Sequence, residues 1–297
     1  MTKHSFLPYI IVCLLVAAVV AVVTGCSSRP TAKPIITVSI QPQQYLLEQI
    51  VGDKIDVRCL LVNGGNPESY EPSLTHLMNL EKSEAYFRIG NVGFESAIID
   101  RIRANNPNLK IYNTTDSVSL IIRSHTGIGD DDHHDHSHEI DPHTWSSVRN
   151  GKIIATNMYN AVVNMDPRNE KYYTNRYAAL MTRLDSLDLT ITRMLEPKRG
   201  MAFMVWHPSL SYFARDYGLK QVSMSVEGKE MSVQAMKSRI NGAKEKSAAV
   251  FFSQKDFDTR QASVLTDELD VKVVPINPLS YDWENELLGV ATALAAE

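Results

Sequence analysis

The chain has 297 residues, 30 basic against 34 acidic side chains, a formal net charge of −4 and 44% hydrophobic residues. A mildly negative chain with dispersed lysines and arginines excludes nucleic acid and other polyphosphates as partners.

Lys3 and His4 precede an apolar run from Ile10 to Val23 that closes on Val23-Thr24-Gly25-Cys26. This is the order of an export signal, and Gly-Cys at its end has the form of a bacterial lipobox. Residues 1–25 are therefore expected to be a lipoprotein signal peptide, Cys26 the lipidated first residue of the mature protein, and residues 26–34 a polar tether. Read instead as an uncleaved span, the run is short for a bilayer, which needs about 20 apolar residues. Either reading exports the body of the chain to the periplasm or cell exterior. Of three cysteines, Cys59 alone then stays in the body. It lies in the apolar run Cys59 to Val62 as a small buried hydrophobe, so no disulfide is available.

About 270 residues remain, near the size at which one core stops growing, so two domains are expected. From Ile35 short apolar strands alternate with amphipathic helical stretches, which predicts α/β architecture with mainly parallel sheets flanked by helices. Strands are expected at 35–40, 58–62, 85–89 and 110–113, with helices at 44–51 and 73–82, the second capped by Ser73. These make an N-terminal lobe over 35–150. A C-terminal lobe over 198–297 repeats the scheme with strands at 203–206, 221–225, 248–252 and 272–276. Several are apolar on successive residues, as strands buried on both faces are.

Between them runs a connecting segment, 151–197, with a long helix over 166–196 opened by Asp166 and Pro167 and ended by Pro197. Tyr173, Tyr177, Leu180, Leu184, Leu187, Ile191 and Leu195 form one apolar stripe along it. At 1.5 Å per residue it is a rod of roughly 43 Å, long enough to brace both lobes.

Five of the nine histidines, His125, His133, His134, His136 and His138, crowd the acidic segment 124–139. So polar a stretch reads as a mobile loop whose imidazoles offer weak, interchangeable sites for zinc, copper or nickel. A solvated acidic insertion is the plain alternative. His143 follows the turn Asp141-Pro142, and His207 stands at the end of the strand 203–206, where open α/β sheets bind ligands. Glu68 follows the second strand and Asp282 the last. Singly each is an ordinary surface or structural residue; together they offer two imidazoles and two carboxylates from opposite lobes. His76 reads as a solvated position in the first turn of its helix.

Pro67-Glu68-Ser69-Tyr70-Glu71-Pro72, the acidic His-rich loop, Asp141-Pro142-His143-Thr144-Trp145, the helix opened by Asp166-Pro167, and His207 with Tyr212 to Leu219 occur in an order that resembles the zinc- and manganese-type solute-binding proteins of ABC importers. The resemblance covers essentially the whole mature length. It implies two α/β lobes joined by one backbone helix, a monomer, and one metal ion in the interlobe cleft, delivered to an ABC transporter permease. His143 and His207 match the family's second and third ligands, and Asp282 falls near its C-terminal carboxylate. Glu68 replaces the family's first histidine; such oxygen donors narrow the gap between Zn2+ and Mn2+ or Fe2+, while His207 and the His-rich loop favour zinc. Neutral imidazole is the binding form, so affinity is expected to fall below about pH 6. Two rivals differ in class. One is a secreted zinc hydrolase with Glu68 as general base, which lacks a His-Glu-x-x-His helix; the other is an adhesive surface lipoprotein.

Overall fold

The strand pattern folds into two parallel sheets. In the computed structural model residues 33–62, 67, 70–123, 139–224, 238, 241–243, 245, 248–254 and 271–297 are described. The expected signal peptide, Cys26, Glu68 and the five histidines of the His-rich loop lie outside them. Every element below belongs to the compact unit Pro34–Glu297.

The first sheet has the order β2-β1-β3-β4, from β1 (Ile35–Ile40), β2 (Asp56–Leu61), β3 (Ala85–Arg88) and β4 (Lys110–Asn113). Helices α1 (Gln41–Val51), α2 (Leu74–Glu81) and α3 (Gly93–Asn105) connect them. Ser73 caps α2 as expected, its hydroxyl accepting from the His76 amide. A short antiparallel ladder of β5 (Ile122–Arg123) and β6 (Glu139–Ile140) follows. The second sheet has the order β10-β9-β7-β8, from β7 (Ala202–Val205), β8 (Lys220–Ser223), β9 (Val250–Gln254) and β10 (Lys272–Ile276), with α6 (Ser211–Tyr217) between β7 and β8. Phe203 and Val205 face one core while Ala202 and Met204 face another. The central strand β7 is thus buried on both sides, which is why its sequence is apolar on successive residues.

Between the sheets stand two long helices where one was expected. The first, α4 (Val148–Met165), is capped by Ser147. The second, α5 (Glu170–Leu195), is entered through a 3-10 turn at Pro167–Asn169 and left through another at Glu196–Lys198. Asp166 tightens that first turn by accepting from Asn169 Nδ2 at 2.6 Å and Tyr173 Oη at 2.8 Å. The predicted stripe holds: Tyr173, Leu180, Leu184, Ile191 and Leu195 are buried, and Tyr177 and Leu187 pack beside them. The 26 residues of α5 give a rod of about 39 Å, which lies against α1, α4 and the final helix α7 (Trp283–Ala295).

One hydrophobic core therefore runs from the first sheet through α4 and α5 to the second, including Ile36, Phe87, Met158, Leu184, Phe203 and Leu287. A polar clasp joins the lobes beside it. Tyr45 of α1 donates to Glu284 of α7 at 2.6 Å, Arg183 of α5 donates to Glu284 at 2.8 Å and to Tyr45 Oη at 3.1 Å, and Tyr281 donates to Glu48. Burial, then the neighbouring Glu284 carboxylate, push the Tyr45 phenol up to about 12. Among the described residues no helix is long and apolar enough to cross a membrane.

Candidate functional site

His143 sits in the turn that leads from β6 into α4. Asp141 begins that turn, and Pro142 cannot donate to a ladder, so the chain leaves the strand there. One Asp141 carboxylate oxygen accepts from the His143 amide at 3.0 Å and from its ring Nδ1 at 2.8 Å. An ionised carboxylate only accepts, so the bond fixes the tautomer: Nδ1 carries the proton and the Nε2 lone pair is presented. Both side chains are buried. Downstream, Asn150 Nδ2 donates to the Thr144 carbonyl at 2.9 Å, tying the turn to the first turn of α4.

His207 leaves the carboxyl end of β7 through Trp206, whose amide donates to Phe252 O at 3.2 Å. The Ser209 amide closes back on the His207 carbonyl at 2.7 Å. The half-buried imidazole thereby meets the other one: His207 Nε2 lies 3.1 Å from His143 Nε2, the rings edge to face with centroids 4.9 Å apart. With the His143 ring neutral its Nε2 is the acceptor, and His207 Nε2 then supplies the shared proton. The same spacing suits an ion, because two nitrogens bound to tetrahedral zinc at about 2.0–2.1 Å stand ~3.3 Å apart. A divalent cation replacing that one proton meets two lone pairs at nearly the ligand distance.

Asp282 does not join them. It precedes α7 as an exposed residue whose carboxylate accepts from Asn285 Nδ2 at 2.9 and 3.0 Å. Among the described residues no three His, Cys, Asp or Glu side chains are grouped to hold one ion. The physical cause lies on either side of it. Tyr281 is tied to Glu48. Trp283, 2% exposed, donates to the Trp145 carbonyl at 2.7 Å. Trp145 in turn donates to the Pro278 carbonyl at 2.9 Å, so the two indoles lock the last loop against the His143 turn. Gly151 leaves room for this, since a Cβ there would lie 2.3 Å from Trp283 Cη2. His76 also differs from expectation: it is half-buried, its Nδ1 2.5 Å from the Tyr70 hydroxyl, which donates to Leu60 O at 2.7 Å.

The sequence reading therefore named the two imidazoles that meet and missed the groups that hold them: Asp141, Asn150, Tyr212 and Trp283. Only Asp141 carried a usable signal, an Asp two residues before a His across a proline, which is the spacing of an Asx turn.

The family described as "Zinc-uptake complex component A periplasmic" matches residues 36–290. The zinc-binding lipoprotein AdcA of Streptococcus pneumoniae is 26% identical over 283 residues, covering 92% of this chain but only 56% of that protein, just over half its length. The high-affinity zinc uptake system protein ZnuA of Bacillus subtilis is 26% identical over 287 residues, 89% of this chain and 87% of that one. A crystal structure of ZnuA superposes with a TM-score of 0.80 at 34% identity, covering 89% of this chain and 98% of the other.

Proposed function

Because the chain belongs to the family of periplasmic zinc-uptake component A, we propose that it is the extracytoplasmic binding protein that captures a transition-metal ion, Zn2+ foremost, and hands it to the permease of an ABC importer. The observation that carries this reading is the 3.1 Å approach of His143 Nε2 and His207 Nε2, with the first ring already held in its ligating tautomer by Asp141. The ion is cargo. His143 offers a lone pair as it stands, and His207 gives up or shifts the proton it shares with His143, so capture exchanges one proton-mediated contact for two nitrogen–metal bonds.

Glu68 is the carboxylate proposed to add an oxygen donor from the first lobe. Asp282 contributes only by leaving Asn285. Two imidazoles favour zinc over manganese or iron, since nitrogen donors suit the later divalent metals and oxygen donors the earlier ones. Cys26 is proposed to carry lipid that keeps the monomer at the membrane, with residues 26–34 as tether. His125, His133, His134, His136 and His138 are proposed to collect metal near the main site. Membership of a binding-protein family disfavours the hydrolase and purely adhesive readings.

The test is metal content after competition. The body from Ser27 onward, offered equal zinc, manganese and iron, is expected to retain about one zinc per chain when residues 124–139 are removed, and none when His143 or His207 is also replaced by alanine. Retention of manganese or iron in preference overturns the choice of zinc. Retention of metal without both histidines overturns the site.

A further inference from the structure

Tyr212 belongs to α6 of the second lobe, on the segment that follows His207, yet its hydroxyl serves the other lobe. It donates to the Asp141 carbonyl at 2.7 Å and accepts from the Ile121 amide at 3.1 Å, while the Asp141 amide donates to Ile121 O at 2.9 Å. The three residues thus close a ring of hydrogen bonds around the residue that orients His143. Tyr212 is 0% exposed. A buried phenol needs partners for its hydroxyl where a phenylalanine would pack without any, so these two bonds are what the hydroxyl supplies at this position.

Arg215, one turn further along α6, reinforces the grip. Its guanidinium lies over the Tyr212 ring, 4.9 Å from the centroid, donating to Ser119 O at 2.6 Å and Asn150 Oδ1 at 3.1 Å. Asn150 is the residue that holds the Thr144 carbonyl. The His143 turn is therefore held from before and after by one short helix, and that helix begins four residues after His207.

We infer that Tyr212 is a positioning residue for metal capture: its hydroxyl fastens the turn bearing His143 to the segment bearing His207, so the two imidazoles stand at ligand spacing before an ion arrives. The inference rests on the reading of both histidines as metal ligands. Its consequence is that the bite of the site is built in by a bond between the lobes, and that affinity depends on a hydroxyl that never touches the ion.

The experiment compares the intact protein in detergent with its Tyr212→Phe variant. The readouts are zinc affinity by chelator competition, the visible d–d spectrum of the cobalt-loaded protein, and the thermal midpoint. Loss of the direct partner of a ligating histidine typically weakens binding about 10–100-fold; Tyr212 holds the backbone of that partner, so a loss of up to about tenfold is expected here together with a changed cobalt spectrum in folded protein. A merely structural role lowers the midpoint and leaves the cobalt spectrum untouched, and that result overturns the inference. If Tyr212→Phe does not fold, Arg215→Gln, at a more accessible position, removes the bonds to Ser119 O and to Asn150, the residue that holds the Thr144 carbonyl of the turn. A shifted cobalt spectrum then supports the inference, and a wild-type spectrum overturns it. His207→Ala separates the two levels: wild-type behaviour of Tyr212→Phe beside a lost affinity and changed cobalt spectrum in His207→Ala refutes the positioning role alone, whereas a wild-type affinity and cobalt spectrum in His207→Ala refute the ligand reading and this inference with it.

Discussion

Replacing Gly151 by alanine is expected to destabilise the protein, against the ordinary rule for a helix. Within an exposed helix the change from glycine to alanine gains roughly 0.5–1 kcal/mol. Gly151, however, lies in α4 opposite the Trp283 indole, where an added Cβ would stand 2.3 Å from Cη2 and 2.8 Å from Cζ2. The indole is buried and its Nε1 donates to Trp145 O at 2.7 Å, so a retreat from that Cβ gives up this bond. Overpacking of this kind costs about 1–3 kcal/mol, and a broken indole hydrogen bond adds about 0.5–1.5 kcal/mol. After subtraction of the helix gain, the net loss is about 0.5–4 kcal/mol. At about 2–4 °C per kcal/mol for a chain of this size, the midpoint should fall by roughly 1–16 °C. Thermal unfolding followed by circular dichroism measures it, with tryptophan fluorescence reporting whether the indole has moved. Zinc affinity should also drop, since the carbonyl that Trp283 grips is two residues from His143. A midpoint equal to or above that of the wild type would refute the packing argument.

Three other outcomes follow from the same geometry. Asp282→Ala is expected to change zinc affinity by less than about threefold, because its carboxylate is engaged with Asn285, while His207→Ala should lower it by more than about 100-fold at roughly 1.4 kcal/mol per tenfold; comparable losses in chelator competition would restore Asp282 to the site. Glu95 is buried, accepting from Ser39 and from the amides of Ile89 and Gly90 at 2.8 and 2.7 Å, and burial holds its pKa above the usual carboxylate value against those bonds. A carboxyl raised in the folded state contributes stability below its unfolded pKa of about 4.3 and loses it as pH rises through the raised value. The stability of the wild type relative to Glu95→Gln, from urea unfolding, should therefore shrink from pH 4 to pH 7, and a relative stability that grows over that range contradicts the assignment. Zinc affinity should fall as pH drops below about 6, since imidazole binds metal only when neutral; a flat competition profile between pH 5 and 7.5 speaks against imidazole ligation.

How far the sequence could be read depends on how local each signal was. The strands were legible because apolar runs bounded by turn residues need only a few neighbours to declare themselves, and β4 and β10 begin and end where expected. The stripe on α5 was equally plain. Its neighbour α4 was not, because Asn150-Gly151 reads as a turn and Asn157, Asn160 and Asn164 are weak helix formers. What makes α4 a helix is tertiary: the Ser147 cap, the fit of Gly151 against Trp283, and packing on α5.

The same division runs through the site. His143 and His207 could be chosen because each follows a turn or a strand end. Asp282 was placed by its loop position and by its nearness to the family's C-terminal carboxylate, whereas the indole clasp and the Tyr281–Glu48 bond on either side of it are contacts between residues far apart in sequence. Tyr212 was quoted as part of a motif, yet its hydroxyl acts across the lobes, which no local pattern reveals.

The central claim is that one ion is shared by imidazoles from opposite halves of the molecule. X-ray absorption at the zinc edge, on loaded protein lacking residues 124–139, tests it most directly. The expected spectrum shows imidazole scattering from two rings with nitrogen at about 2.0–2.1 Å, reduced to one ring in His207→Ala and in His143→Ala alike when each is held in excess zinc to offset its weakened binding. A zinc spectrum without imidazole scattering, or one unchanged by either substitution, would contradict it.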